Sequence, residues 1–483
     1  MHPVGFLAQF SSGENTLFRR YLATANGNAA KPKAVLGLFS FLQLKPDWRR
    51  LDQGLPHGSI SCTSSYKFGE AENGENMTGA TPIPDRPRDK RTLLYSHDTF
   101  GLGHLRRSRT IATALIEADP NCSALIVTGS PIAGRFDFPE RVDHVRLPGV
   151  VKLADGSYTS SNLPMDIDEM ASLRGAIIAT VEQEFQPDLL IVDKEPWGFR
   201  HELAQTLQAA RDRGARIVLG IRDVLDDEDA LAREWGRKGS IEAIEKFYDE
   251  IWIYGIPQIC RPLAGLGLTP HMEAQAIYTG YLRREVADWP VEYASDLPEQ
   301  PYILVTTGGG GDGAALVDWV LRAYEVDRTL TPHALIVYGP FMNASDRQDF
   351  DNRVAALDGR ITALSFHPRL ERVLAEASGV VAMGGYNTFC EILSMDKPAI
   401  IAPRTRPRRE QVIRASAAED LGLVRMLAPE RDGDGAEVMA RSIRALADQP
   451  RPSEVRIPGL LSGLTTIAER MTATTPVFAA AGE

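Results

Sequence analysis

Four consecutive glycines, Gly308–Gly311, with Asp312 and Gly313 after them, lie between the apolar run Tyr302–Thr306 and the amphipathic run Ala314–Tyr324. Glycines let a chain turn sharply and leave its N–H groups bare, and a following helix start adds positive potential. Such a turn suits phosphate; its plain alternative is a tight turn without a ligand. The spacing Gly308-x-Gly310-x-x-Gly313 also satisfies the dinucleotide fingerprint, which requires an acid at the end of the next strand. That strand ends Val337–Tyr338–Gly339–Pro340, without a carboxylate, and the turn lacks a Lys-Ser/Thr ending. Nicotinamide or flavin chemistry and nucleoside-triphosphate hydrolysis are therefore disfavoured.

A second turn, Met383–Gly384–Gly385–Tyr386–Asn387, again joins a strand pattern to a helix pattern. Asn387 and Glu391, four apart, share one helix face. A carboxylate there can accept hydrogen bonds from two neighbouring hydroxyls, as on a ribose, or can be a solvated surface acid. A third cluster, Arg404, Arg406, Arg408 and Arg409, follows Ala399–Ala402. It is read either as a solvated face or as positive charge that neutralises a diphosphate without a metal. No Asp-x-Asp spacing stands at an equivalent strand end; Asp226–Asp227 falls in the earlier half.

The earlier half supplies a candidate base. Gly101–Leu102–Gly103–His104 follows the strand pattern ending at Ser96 and opens a helix pattern. A positive helix end disfavours imidazolium and keeps His104 neutral, the form a general base requires. The alternative is a capping or packed histidine; His97, on the strand, is read as structural. Asp193 and Asp223 follow the apolar runs Leu190–Val192 and Ile217–Gly220. They position an acceptor hydroxyl or His104, or act as helix caps or in an internal salt bridge. Trp197 stacks on a sugar ring or lies in the core.

These turns need rigid carriers. From Arg91 the chain alternates short β-rich runs with helical patterns such as His104–Ala118, Arg200–Arg213 and Ser240–Tyr248. This predicts an α/β fold with a parallel sheet covered on both faces. The Pro- and acid-rich stretch Trp289–Pro301 interrupts the pattern, and a second alternation follows. The expected organisation is an extension over 1–90, a doubly wound domain over 91–290 and another over 300–471, facing each other across a cleft. Residues 54–88, rich in Gly, Pro, Ser, Thr and Asn, read as poorly ordered. Met77 is an expected alternative start of translation.

Composition bounds the function. Of 483 residues, 43% are hydrophobic and 24% charged, as in soluble globular proteins. The net charge of −11 argues against a bulk nucleic-acid or anionic-membrane binder, so any anion site is local. Four scattered cysteines, without a C-x-x-C pair, predict neither a disulfide framework nor a structural zinc site. No apolar run early in the chain is long enough for a membrane span, and a cytoplasmic location is expected.

Residues from about 91 to 470 resemble GT-B glycosyltransferases of the family-28-like group. This group includes the peptidoglycan N-acetylglucosaminyltransferase and bacterial predicted glycosyltransferases. The resemblance rests on the G-x-G-H-x-x-R of Gly101–Arg107, the loop Gly308–Gly313, the stretch MGGYNTFCEILSMDKPAIIAPR and Glu410–Gln411. It implies a GT-B fold of two Rossmann-like domains. It also implies metal-independent transfer from a nucleotide-diphosphate sugar (UDP-sugar type, as in polysaccharide biosynthesis) to a glycan or lipid-linked hydroxyl. The donor is a substrate and no cofactor is implied. The carry-over names Gly309, Gly310, Gly385, Asn387, Glu391 and Gln411 for the donor, joined here by Arg404 and Arg408, and His104 as base. Gly101, Gly103, Asp193 and Asp223 fall on the acceptor side. Two segments depart from the family pattern: Thr99–His104 stands where G-G-T-G-G-H is usual, and Gly384–Gly385–Tyr386 where a single glycine and a serine are usual. Peripheral membrane contact is expected only with a lipid-linked acceptor. The competing readings are a nucleotide-sugar hydrolase of the pseudaminic acid type, which shares the G-x-G-H opening, a nucleotide-sugar 2-epimerase, which lacks it, and a silent nucleotide-sugar-binding protein.

Overall fold

The computed structural model describes residues 89–98, 103–153, 157–286 and 297–472. The sequence readings on 1–88, on the interdomain stretch 287–296 and on Gly101 lie outside these residues.

Two parallel sheets organise the chain. The first lobe contains β1 (Lys90–Ser96), β2 (Cys122–Thr128), β3 (Val142–Arg146), the hairpin strands β4 (Val150–Lys152) and β5 (Tyr158–Ser160), β6 (Leu189–Asp193), β7 (Arg216–Arg222), β8 (Glu250–Tyr254) and β9 (Ala276–Tyr278). Seven of these form one sheet in the order β3-β2-β1-β6-β7-β8-β9, while β4 and β5 pair separately and antiparallel. The second lobe contains β10 (Tyr302–Thr306), β11 (His333–Val337), β12 (Ile361–Leu364), β13 (Gly379–Ala382), β14 (Ala399–Ile401) and β15 (Arg425–Met426), in the order β12-β11-β10-β13-β14-β15. Each is a doubly wound sheet, and together they make a GT-B fold of two Rossmann-like domains. The residues of β6, β8, β10 and β13 are buried throughout, which explains their uninterrupted apolar runs: helices cover both faces.

The strand order reverses between β1 and β6 in one lobe and between β10 and β13 in the other. Loops leaving the carboxyl ends of such strand pairs diverge and open a crevice. His104 and Asp193 follow β1 and β6. The two glycine turns follow β10 and β13. The fold therefore places the His104–Asp193 pair and both glycine turns at its two switch points, while the arginine cluster follows β14 and Asp223 follows β7.

Several elements had weak sequence signals. The Ile167–Phe185 helix is the longest described, and a capping box of Asp166 and Glu169 starts it. That box was readable in the sequence. The short strands β3, β9 and β15 lie toward or at sheet edges. The Gly463–Thr472 helix closes the segment read from sequence as the later domain. Its segment packs on the first lobe: the Tyr281 and Gly463 N–H groups donate to Leu460 and Tyr281 carbonyls at 2.8 and 3.1 Å. Arg470 donates to Glu250 at 2.5 Å. The chain thus returns to the lobe it left.

The lobes share one apolar core. The Tyr281 ring meets Phe389 edge-on at 5.1 Å between centroids, and the core continues from Leu94 and Leu105 to Ile392 and Ile401. A charged tie crosses the same interface. Arg414 donates to both Asp223 oxygens at 2.7 and 2.6 Å, with side chains 1% and 0% exposed. Tyr281 and the Val224 N–H complete the shell of Asp223 at 2.7 and 2.8 Å.

Removing one member of a buried pair strands the other. Arg414→Met is expected to cost about 3–5 kcal/mol, while replacing both partners by apolar residues recovers most of it. Scanning calorimetry of Arg414→Met and Arg414→Met/Asp223→Leu checks this. Equal melting temperatures for both variants would contradict it.

Candidate functional site

The first-lobe half of the site is a dyad of a part-buried His104 and a buried Asp193. Asp193, at the end of β6, accepts from His104 Nδ1 at 2.5 Å through Oδ2 and from Arg107 at 3.0 and 2.5 Å through Oδ1. Burial alone would raise the Asp193 pKa, but Arg107 and His104 outweigh it and hold the carboxyl well below the ordinary range. Arg107 also stands 2.9 Å from Nδ1, but the shorter contact is to Asp193, and an ionised carboxylate only accepts, so the His104 proton is assigned to Nδ1. Burial lowers the His104 pKa, Asp193 opposes this and Arg107 adds to the lowering, with a net downward shift. The product is a neutral imidazole with the lone pair on Nε2, which makes no hydrogen bond among the described residues. Asp98 braces the start of the helix, accepting from the Leu105 N–H at 3.2 Å and from Ser96 and Thr128 hydroxyls at 2.6 and 2.5 Å. His97 packs edge-on against His104 with centroids 5.8 Å apart.

The second-lobe half is built of main chain. Gly308 and Gly310 have φ of 70° and 89°. A Cβ at Gly310 would come within 2.4 Å of the Tyr338 carbonyl, so only glycine fits. The N–H groups of Gly309, Gly310 and Gly311 find no acceptor among the described residues. The Tyr386–Ser394 helix starts after Gly385, where a Cβ would meet nothing within 4 Å. The first turn therefore leaves three amides without an acceptor, and the second opens beside free space at Gly385.

Side chains from the opposite lobe hold the second-turn residues. Arg106 donates to Glu391 at 2.6 Å and also pairs with Glu371. Glu391 is 0% exposed and its Oε2 has no partner. Burial raises its pKa and Arg106 opposes the rise. Asn387 donates to the Gly103 carbonyl at 3.2 Å and accepts from Arg284 at 3.0 Å. Tyr386 lies under both Arg107 and Arg414, each 5.7 Å from its ring centre. These contacts close the cleft at the helix starts. A ribose could reach Glu391 only after Arg106 withdrew.

The remaining sequence candidates divide. Arg404 bridges Asp312 of the glycine loop at 2.7 Å and Glu410 at 2.7 Å, while its N–H donates to Gln411 at 3.0 Å. Arg404 and Gln411 thus brace the cradle. Arg408 does not face the glycine turns: it pairs with Glu234 at 3.0 Å and lies 3.6 Å from Asp226, both in the first lobe. Asp223, read as an acceptor-side residue, is saturated by Arg414, Tyr281 and a backbone N–H and has no oxygen left for a substrate. Trp197 donates to the Gly239 carbonyl at 2.7 Å, away from the dyad. Sequence reasoning gave no role to Arg106, Arg284 and Arg414, and took Arg107 only as the last residue of the G-x-G-H-x-x-R pattern. The available signal was position: Arg107 precedes Ile111 and Arg414 precedes Ala418 by four residues, so each arginine sits on an apolar stripe. Among the described residues, no cluster of three or more His, Cys, Asp or Glu side chains stands where it would hold a metal ion. None of their helices is long and apolar enough to cross a membrane.

Residues 302–446 match the glycosyltransferase family 28 C-terminal domain. No curated protein matches the chain. Among solved structures, a UDP-glucosyltransferase from Polygonum tinctorium is similar at 15% identity, over 79% of this chain and 93% of that one, with a TM-score of 0.53. The glycotransferase of kitacinnamycin is similar at 15% identity, over 80% and 95%, with a TM-score of 0.50. At this identity the likeness concerns the fold.

Burial holds both His97 and His104 below their ordinary 6.5. A group whose folded pKa lies under its unfolded one adds stability that is whole above the unfolded value and declines as pH falls through it. The melting temperature is therefore expected to drop between pH 7 and 5, and to drop less in His97→Gln. A flat profile in both proteins would contradict the assignment of neutral, buried rings.

Proposed function

We propose that this chain, whose second lobe carries a family 28 glycosyltransferase domain, moves a sugar from a nucleotide-diphosphate donor to an acceptor hydroxyl. The observation that carries the reading is the His104–Asp193 dyad, with a free Nε2, set at one switch point while unpaired glycine amides occupy the other. The diphosphate rests on the N–H groups of Gly309–Gly311 and on the start of the Tyr386–Ser394 helix, where dipoles and bare donors favour anions. Gly385 leaves the room. Arg404 holds the loop through Asp312. Glu391 takes the ribose through its unpartnered Oε2 once Arg106 yields.

Transfer is a direct displacement at the anomeric carbon. His104 Nε2 takes the proton of the acceptor hydroxyl as its oxygen attacks. Asp193 keeps the ring oriented and stabilises the imidazolium that forms. Negative charge grows on the leaving diphosphate and is met by fixed dipoles and by arginine, without reorganisation, so no metal is required. Lobe opening admits the substrates, and closure excludes water and aligns them. A glycan or lipid-linked hydroxyl is the acceptor class; a lipid-linked one would bring the protein to a membrane surface.

The test is turnover of UDP-, dTDP- and GDP-sugars with and without hydroxyl acceptors, read as nucleoside-diphosphate release. His104→Ala is expected to lose about 10²–10⁴-fold in kcat, with donor binding retained by calorimetry. Full turnover in His104→Ala would remove the base. Release that ignores acceptors would assign a hydrolase instead.

A further inference from the structure

Two arginines, one from each lobe, converge on the ring of Tyr386. Arg107 comes from the Gly103–Ala118 helix of the first lobe and Arg414 from the Glu410–Asp420 helix of the second. Each guanidinium carbon lies over the ring, 5.7 Å from its centre. The tyrosine and both arginines are buried. An aromatic face attracts a cation most when both are out of water, so a buried ring can fix where a guanidinium stands. Arg414 is anchored besides by both Asp223 oxygens and by the Gly384 carbonyl, to which it donates at 3.0 Å. Tyr386 is thus pinned on its own side of the boundary.

Arg107 needs such a hold. Its Nη2 donates to Asp193 Oδ1 at 2.5 Å and stands 2.9 Å from His104 Nδ1, whose proton goes to the other oxygen of the same carboxylate. Two donors that close do not attract each other. The guanidinium stays because Asp193 draws it and Tyr386 covers it. A displacement would take one partner from Asp193 and change the charge that the imidazole meets. Asp98 and His97, at the end of β1, also face His104. Tyr386 is at the same time the first residue of the helix that follows the second glycine turn. One residue therefore gives a main-chain N–H to the donor side and a ring to the guanidinium that braces the dyad.

We infer that Tyr386 is a positioning residue: its ring seats Arg107 against Asp193, so that His104 is set up as a base only when the second lobe is docked on the first. This rests on the reading of His104 as the base of a sugar transfer. The relay is a chain of direct contacts from Gly384 through Arg414, Tyr386, Arg107 and Asp193 to His104, and it crosses the lobe boundary at the ring. With the lobes apart, Asp193 keeps His104 but loses a fixed Arg107.

Carbon-13 labelling of the histidine rings, in the full chain, lets NMR follow the titration of His104 in wild type, Tyr386→Phe and Tyr386→Leu, the signal being assigned by its loss in His104→Gln. Arg107 helps to hold the His104 pKa down. With Arg107 released, that pKa is expected to rise by about half a unit or more in Tyr386→Leu. Tyr386→Phe keeps the ring and should titrate with wild type. A general base must be neutral, so the acid limb of the kcat profile should move to higher pH by the same amount in Tyr386→Leu. Affinity for UDP, dTDP or GDP, read by calorimetry, should change less than about threefold, since residue 386 keeps its N–H at the helix start. A His104 pKa equal in Tyr386→Leu and wild type, whatever the melting temperature does, would overturn the positioning role and leave the transfer reading intact. An equal rise in Tyr386→Phe would assign the effect to the hydroxyl and overturn the role of the ring. A shift confined to Tyr386→Leu, in a protein that turns over no nucleotide sugar, would support the seat of Arg107 and overturn the transfer reading. Should Tyr386→Leu not fold, Tyr386→Met, of similar volume and without a ring, decides by the same titration.

Discussion

A charge taken out of water has to be met by an opposite charge or by several dipoles. That requirement governs the boundary between the two lobes. Asp223 of the first lobe meets Arg414 of the second, Arg106 of the first meets Glu391 of the second, and Glu234 of the first meets Arg408 of the second. Each pair is useful only in one relative placement of the lobes. The apolar contacts of Tyr281 with Tyr386 and Phe389 would tolerate sliding; the bidentate grip of Arg414 on Asp223 does not. The ion pairs therefore set the register that brings His104 opposite the start of the Tyr386–Ser394 helix.

The two halves of the site solve different problems with one architectural rule. Both use the switch point of a parallel sheet, where neighbouring loops part. In the first lobe the crevice is lined by side chains, and burial with a shared carboxylate keeps an imidazole neutral and oriented. In the second it is lined by backbone, because glycine at 308, 310 and 384 lets the chain turn with positive φ and leaves amides uncovered. Side-chain chemistry on one face and dipoles on the other fit a reaction in which one partner loses a proton while the other gains charge. In the described arrangement Arg106 sits on Glu391.

Much of this was legible in the residues. The strands Tyr302–Thr306 and Leu189–Val192 announced themselves because both faces of a parallel sheet are buried. The glycine turns were legible because no other residue type tolerates their backbone. The partners were not. The sequence allows Asp193 to position an acceptor hydroxyl or His104, to cap a helix or to join an internal salt bridge; it meets His104, and nothing in the spacing of 89 residues decides that. Asp223 carried the same local signal as Asp193, an acid at a strand end, yet it is an internal tie. The difference is made by Arg414, distant in sequence and brought near by the second lobe. The local pattern around Arg408 fits a solvated face or a diphosphate partner equally, and only the fold shows that it pairs with Glu234. Local pattern fixes conformation; pairing between distant charges depends on the assembled lobes. The return of the Gly463–Thr472 helix to the first lobe is another nonlocal fact, visible only when Tyr281 and Gly463 are seen hydrogen bonded.

The central claim is that uncovered main-chain amides in the second lobe receive a diphosphate. Hydrogen–deuterium exchange of the backbone, with and without saturating nucleoside diphosphate, addresses those amides themselves. The account predicts slowed exchange at Gly309–Gly311 and at Tyr386–Thr388 in the presence of the ligand. Unchanged exchange at both turns, with protection confined to other segments, would contradict it.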